Sequence, residues 1–207
     1  MRTYGDRCGI ARALDLIGER WALLVVRELL LGGKRFTDLR AGLPNIGPDV
    51  LSQRLRELEG SGVVERRKLP PPAAAQVYEL TDWGRELEPV VLGLGRWGSR
   101  APVPSADAPL GADAAVIALK ALFDPAAADG LTARYEIRLG EDRYDARVAD
   151  RRLQIRRGTP EDPDAVIDTD PATLATVLWH GRRADDLRVE GSRRAVTRFL
   201  TLFGPGS

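Results

Sequence analysis

Three features of the sequence predict an α+β protein built from two modules. Between Lys34 and Thr81, two helical stretches are followed by two strand-like stretches, the order of a winged helix-turn-helix. Residues 100–112 are rich in proline and alanine and read as a linker. From about residue 131 onward, apolar and polar residues alternate with period two, with helical stretches before and after, which predicts a smaller module with one largely antiparallel sheet whose apolar face needs covering by helices. The expected domains are therefore 1–99, the linker 100–112, and 113–207.

The central helix of the first module has clear start and stop signals. Gly47 serves as N-cap, Pro48 takes the first helical position, and Asp49 faces the positive end of the helix dipole. The helix is expected to run to Ser61 and stop at Gly62. Leu51, Leu55 and Leu58 form one apolar stripe, leaving Asp49, Ser52, Gln53, Arg56 and Glu57 on a polar face able to bond base edges or phosphates. Upstream, Thr37 is expected to cap a short helix, Asp38 to Leu43, ending at Pro44. Downstream, Val63–Lys68 and Gln76–Leu80 have strand character. The candidate DNA contacts are Gln53 and Arg56 for base edges; Arg66, Arg67 and Lys68 on the wing for phosphates; and Lys34, Arg35, Thr37, Asp49, Ser52 and Arg54 around them. An ordinary helical core with a hairpin attached has the same periodicity.

Several blocks carry a family resemblance: Trp21, RELLLGGKRF (27–36), VLSQRLRELEGSGVVERR (50–67) and YELTDWGRELEPV (78–90). In this order they resemble the HxlR-type winged-helix transcriptional regulators of bacteria, over about Cys8 to Gly98. The resemblance implies DNA binding as a homodimer. The chain departs from the family at the wing tip, Pro70 to Ala75, which has no arginine at its end, and at Gln76, where a basic residue is common.

The 207 residues leave room for two domains of ordinary size. With 43% hydrophobic and 29% charged residues, the composition is that of a soluble globular protein. The net charge of +1 gives no whole-chain nucleic-acid signature. Residues 1–103 hold 16 Lys/Arg against 13 Asp/Glu, and residues 104–207 hold 15 against 17, so any DNA-attracting field must come from local clustering. Leu23–Leu31 is interrupted by Arg27 and Glu28 and is too short to span a bilayer, and the N-terminus lacks an export-type apolar core, so a cytoplasmic protein without membrane association is expected. A single cysteine and a single histidine leave no disulfide framework and no metal site.

In chain order, Cys8 opens a first helix whose apolar face is Ile10, Leu14, Ile17 and Trp21. Cys8 reads as a small buried hydrophobe or as a reactive thiol at a helix start. Some members of the resembled family use a cysteine here as a redox sensor, forming a disulfide between subunits. A second helix, about Arg20 to Leu31, ends at Gly32-Gly33 and is apolar nearly all round. After the wing, Trp83, Leu87, Val90, Leu94 and Trp97 repeat at spacings of four and three along a predicted helix from Asp82 to Ser99, bent at Pro89. That seam, with Ile10 and Leu14, is the candidate dimerisation surface; packing on the protein's own first helix is the alternative.

The second module is predicted to begin with a helix, Ala112 to Phe123. Leu131, Ala133, Tyr135, Ile137 and Leu139 point one way and Thr132, Arg134, Glu136 and Arg138 the other. Tyr144, Ala146 and Val148, then Leu153 and Ile155, continue an antiparallel meander with one charged face. A strand near Ala165–Asp168, a helix from Pro171 through Trp179 capped by Asp170, a short strand Leu187–Glu190, and a last helix through Phe203 capped by Ser192 complete it. The tail LRVEGSRRAVTRFLTLF (187–203), supported by DTDPATLATVLWHG (168–181), resembles the sterol carrier protein type two-like domain. This resemblance covers about Asp113 to Phe203 and implies an α/β sandwich with one largely antiparallel sheet and a lipid-sized apolar cavity. Leu119, Phe123, Trp179, Phe199 and Phe203 are the candidate ligand-pocket residues, with plain core packing as the alternative.

Enzyme chemistry is not expected. His180 precedes Gly181 at a predicted helix end, Asp185 and Asp186 are adjacent and so face different ways, and neither a nucleophile elbow nor a phosphate-binding glycine loop occurs. No cofactor is expected. Three functions follow: a homodimeric regulator of palindromic operator DNA whose second domain accommodates an apolar effector; an apolar-ligand carrier whose winged helix serves dimerisation; and a Cys8 redox switch on the same DNA-binding module.

Overall fold

The computed structural model describes residues 3–70, 75–102, 108–179 and 187–203, with only the backbone of Trp179. The wing tip 71–74, His180, Asp185, Asp186 and the Trp179 side chain therefore lie outside the described residues. The chain divides into two units, Met1–Val91 and Leu92–Ser207.

The first unit begins with α1 (Gly9–Ile17) and α2 (Ala22–Leu29). Trp21 does not extend the apolar face of α1 as predicted. The helix ends at Gly18, whose N–H bonds the Leu14 carbonyl, and Trp21 turns the chain into α2 at a left-handed φ of 79°. Cys8 is the exposed residue preceding α1 rather than a buried hydrophobe.

Helix α3 (Phe36–Gly42) starts two residues earlier than predicted. Arg35, not Thr37, holds the cap position, because the Asp38 carboxylate reaches back to the Arg35 N–H at 3.2 Å. Helix α4 (Pro48–Gly60) follows the expected signals, with Gly47 as N-cap and Gly62 at φ 74° just beyond its end. Leu51, Leu55 and Leu58 are fully buried against the rest of the unit. Strands β1 (Val64–Lys68) and β2 (Gln76–Leu80) pair antiparallel, Val64 opposite Leu80 and Lys68 opposite Gln76.

The single helix predicted from Asp82 to Ser99 is two helices, α5 (Asp82–Arg85) and α6 (Glu88–Gly98). Pro89 lacks the N–H that would bond Arg85, and the chain tightens through Glu86 and Leu87, whose amides reach back only three residues. The regular seam from Trp83 to Trp97 is therefore interrupted. The unit boundary falls inside α6, upstream of the proline-rich stretch. Within the second unit Arg96 Nε donates to the Ala121 carbonyl at 3.1 Å, and Gly95 faces the Ala121 methyl.

The second unit contains α7 (Ala112–Leu122), β3 (Ala133–Leu139), β4 (Asp142–Ala149), β5 (Arg152–Arg157), β6 (Ala165–Thr169), α8 (Pro171–Trp179), β7 (Arg188–Gly191) and α9 (Arg193–Leu200). The sheet order is β5-β4-β3-β6-β7, antiparallel except for the β3–β6 pair. Strand periodicity puts Tyr135, Ile137, Tyr144, Ala146 and Ile167 on one buried face. Asp113, at the start of α7, ties that helix to the sheet. Its Oδ1 accepts from the Tyr144 hydroxyl and from Arg157 Nη2, each at 2.6 Å. Burial, helped by Asp113, raises the Tyr144 hydroxyl far above the ordinary tyrosine range, so it remains a donor.

The opposite face of the sheet is charged, as the alternation predicts. Arg134, Glu136 and Arg138 of β3 lie beside Arg147, Asp145 and Arg143 of β4, and Asp145 lies beside Arg156 of β5. The hydrogen bond from Arg134, joined by those from Arg156, holds the Asp145 carboxyl below the usual carboxylate range. The unfolded reference is about 3.9, so this stabilisation is complete above about pH 4 and is lost as pH falls through the lower folded value. Thermal melts between about pH 5 and about pH 2 should show a falling Tm, and Asp145→Asn should flatten part of that acid limb.

Candidate nucleic-acid interface

The burial of Leu51, Leu55 and Leu58 decides which face of α4 is free. Val50, Gln53 and Arg56 are exposed along that face, with Ser52 and Glu57 half-buried beside them and Asp49 exposed in its first turn. Gln53 Nε2 donates to Glu57 Oε1 at 3.0 Å, one turn on, which holds its amide along the helix surface. Arg56 has no ion pair among the described residues, leaving its five donors available.

Arg54 departs from expectation. It is buried, and its Nη1 lies 2.5 Å from Glu57 Oε2, so it braces the inner side of α4 and does not face solvent. Its place one residue beyond Gln53 rotates it by about 100° around the helix, toward the core. Lys34 departs similarly. Its ammonium lies 2.6 Å from Glu28 Oε2, with the lysine side chain only 11% exposed. Its backbone N–H and C=O both pair with Tyr78, so Lys34 stitches the α2–α3 turn to the wing. Arg35 and Thr37 remain exposed. They border a concavity of about 300 Å³ shared with Phe36, Ala75, Gln76 and Tyr78, between the start of α3 and the wing.

The three wing cations are not equivalent. Arg66 pairs with Glu59 at 2.8 Å and lies over the Tyr78 ring, 5.0 Å from its centroid. Arg67 makes a two-pronged pair with Glu79, at 2.6 and 2.9 Å. Lys68 is exposed and has no such partner among the described residues. Arg40, in the last turn of α3, is a further exposed cation without an ion pair among them. Sequence reasoning omitted Arg40 and Val50. Val50 could have been found, because it lies one turn before Gln53 on the same face and offers an apolar contact of the kind that reads a thymine methyl.

The remaining candidates are apolar. Ile10 and Leu14 of α1 are exposed, Ile10 at 73%, as are Trp83, Val90, Leu94 and Trp97. A concavity of about 640 Å³ in the first unit is lined by Arg12, Ala13, Leu16, Ile17, Trp83 and Leu87, among others. In the second unit, Leu119 and Phe199 are completely buried. The Phe199 ring packs against Tyr135 at 4.6 Å and Phe203 at 4.9 Å, and Phe203 against Phe123 at 6.2 Å. Among the described residues no His, Cys, Asp and Glu cluster is arranged to hold a metal ion, and no helix is long and apolar enough to cross a membrane.

The helix-turn-helix and wing coincide with a family match. The model of the HxlR-like helix-turn-helix family aligns with residues 16–105. The HTH-type transcriptional regulator YvaP of Bacillus subtilis strain 168 is 40% identical over 94 residues, which span 45% of this chain and 87% of YvaP. The chain belongs to the HxlR family. YodB of the same organism, an HTH-type transcriptional regulator, is 35% identical to this HxlR-family chain over 88 residues, covering 42% of the chain and 79% of YodB. The solved reduced form of YodB covers 48% of the chain and 99% of that structure, at 33% identity and a TM-score of 0.42. These relatives match the N-terminal half, the part that carries α4 and the wing.

Proposed function

We propose that the chain is a transcriptional regulator that binds operator DNA as a homodimer, with α4 in the major groove and the wing on the backbone. The observation that carries this reading is the division of α4: three leucines buried on one side, and Gln53 and Arg56 exposed on the other, within a chain of the HxlR family. Exposed apolar residues on α1, α5 and α6, with Ile10, Leu14, Trp83 and Val90 among them, support self-association. A twofold dimer would read a palindrome whose half-sites lie about 34 Å, roughly 10 base pairs, apart or a multiple of that.

Operator selection from a random duplex pool, followed by binding titrations, tests the reading. Gln53→Ala or Arg56→Ala is expected to cost about 1–3 kcal/mol on the selected site and to relax sequence preference. Lys68→Ala should weaken every duplex alike and reduce the salt dependence. A monomer that binds a single half-site equally well, or a Lys68 variant with altered preference, would overturn the assignment.

The second unit serves in this reading as an accessory domain with a filled core. Its sterol-carrier-like order of elements suggests a cavity fold, but the mutual packing of Tyr135, Phe199 and Phe203 favours a sealed interior over an apolar-effector pocket. A redox switch is a second reading, favoured by the exposure of the Cys8 thiol. Oxidant should then change DNA affinity in the wild type and leave Cys8→Ser unaffected.

A further inference from the structure

The charged face of the C-terminal sheet is more than a solvated surface. Residues 104–207 carry more acidic than basic side chains, yet on this face arginines outnumber carboxylates. The domain has thus concentrated positive charge against its own net sign. Two nearly buried carboxylates organise the array. Asp145 holds Arg134 and Arg156, each at 2.8 Å. Glu136 holds Arg138 at 2.9 Å, with Arg143 at 3.9 Å. Between β3, β4 and β5 lies a shallow concavity of about 600 Å³, bordered by Arg134, Asp145, Arg147, Gln154 and Arg156.

Not all of this charge is neutralised internally. Arg147 and Arg152 are exposed and have no ion pair among the described residues. Arg156 is 76% exposed, and both its bonds to Asp145 come from Nε and Nη2, leaving Nη1 free. Protection of β5 as an edge strand accounts for one or two charges on that strand, but not for an arginine array continuing across β4 and β3. Arg156, fixed at its base by Asp145, presents a planar donor with little side-chain entropy left to lose, which suits phosphate oxygens, and Arg147 and Arg152 add charge beside it that is unpaired among the described residues.

We propose that this face is a second, sequence-independent contact for the sugar–phosphate backbone of duplex DNA. The proposal rests on the DNA-binding reading above. It identifies the partner by charge complementarity, since a duplex supplies a dense and regular row of phosphates.

The test uses the full chain and two duplexes, the selected operator and a random sequence, each titrated across a range of salt concentrations. The triple variant Arg147→Gln/Arg152→Gln/Arg156→Gln should lower affinity for both duplexes about tenfold or more. It should also reduce the slope of log K against log salt by about 2–3, near 0.9 for each phosphate no longer neutralised, with the preference for operator unchanged. The corresponding triple lysine variant keeps the charge and should keep most of the slope, which separates charge from folding. If the glutamine variant binds with wild-type slope and affinity while Gln53→Ala still relaxes preference, the second contact is overturned and the winged-helix reading stands. If the glutamine variant loses affinity as expected but Gln53→Ala and Arg56→Ala leave preference intact, the second contact stands and the reading of α4 falls. Failure of the wild type to bind either duplex, or arginine-dependent binding to anionic phosphatidylglycerol vesicles but not to DNA, overturns the proposal.

Discussion

Phe199→Ala is expected to destabilise the C-terminal unit by about 3–5 kcal/mol. Phe199 is completely buried, and its ring sits between Tyr135 at 4.6 Å and Phe203 at 4.9 Å. The Tyr135 hydroxyl, pushed up to about 12 chiefly by burial, donates to the Ala195 carbonyl of α9 at 3.2 Å. The ring is thus flanked by a side chain anchored at both ends, and the neighbours have little freedom to collapse into the space a truncation leaves. Calorimetric unfolding of the full chain should show the transition of this unit falling by more than about 10 °C. The same measurement discriminates between a filled core and a ligand chamber. A side chain lining an open cavity gives up little packing when truncated, so a cost below about 1 kcal/mol would restore the apolar-effector reading. In that case titration with long-chain fatty acids and sterols would be expected to give heat.

Glu28→Ala is expected to cost the N-terminal unit about 3–5 kcal/mol. The Glu28 carboxylate is buried and receives Arg27 at 2.8 Å on one oxygen and Lys34 at 2.6 Å on the other. Gly42 closes over it: a Cβ at that position would collide with Glu28 Oε2. One side chain therefore joins α2, the turn before α3, and the end of α3. Removing it takes away the buried carboxylate that two cations, Arg27 and the nearly buried Lys34, share, and the loss of that charge-assisted network causes most of the cost. Replacing the carboxylate together with its more buried cation, as Glu28→Leu with Lys34→Met, should cost less than Glu28→Ala alone, because only the more exposed Arg27 then loses its carboxylate. Equal or greater loss in the double variant would mean that the pair itself, not the charge deprived of this carboxylate, supplies the stability. Weaker operator binding in Glu28→Ala should accompany the loss, since α3 sets the approach to α4.

Much of the local structure was legible because it depends on neighbours in sequence. The limits of α4 follow from Gly47, Pro48 and Gly62, whose effects act within one turn. The β3–β5 meander follows from period-two alternation, which dictates which side chains share a face whatever the strand order. The Ser192 cap of α9 is equally local, its oxygen accepting the Ala195 N–H at 3.1 Å. The HxlR resemblance read from the blocks between Trp21 and Val90 agrees with the family match over residues 16–105.

The tertiary structure decided what no window of neighbours contains. A sequence cannot say that Lys34 turns inward to Glu28, or that Arg54 is buried within reach of Glu19, because an arginine or lysine is amphipathic and takes its direction from the packing around it. Pro89 announces a bend, but the full break at Glu86–Leu87 depends on how the amides there reach back three residues. Strand order is likewise non-local: alternation identifies β3 and β6 as strands, yet only the fold sets them side by side and parallel. The same holds for charge. By composition the second half is slightly acidic; alternation predicts one charged face, but only the folded sheet sets Arg134 beside Arg147 and Asp145 beside Arg156, because cross-strand register is not written in either strand alone.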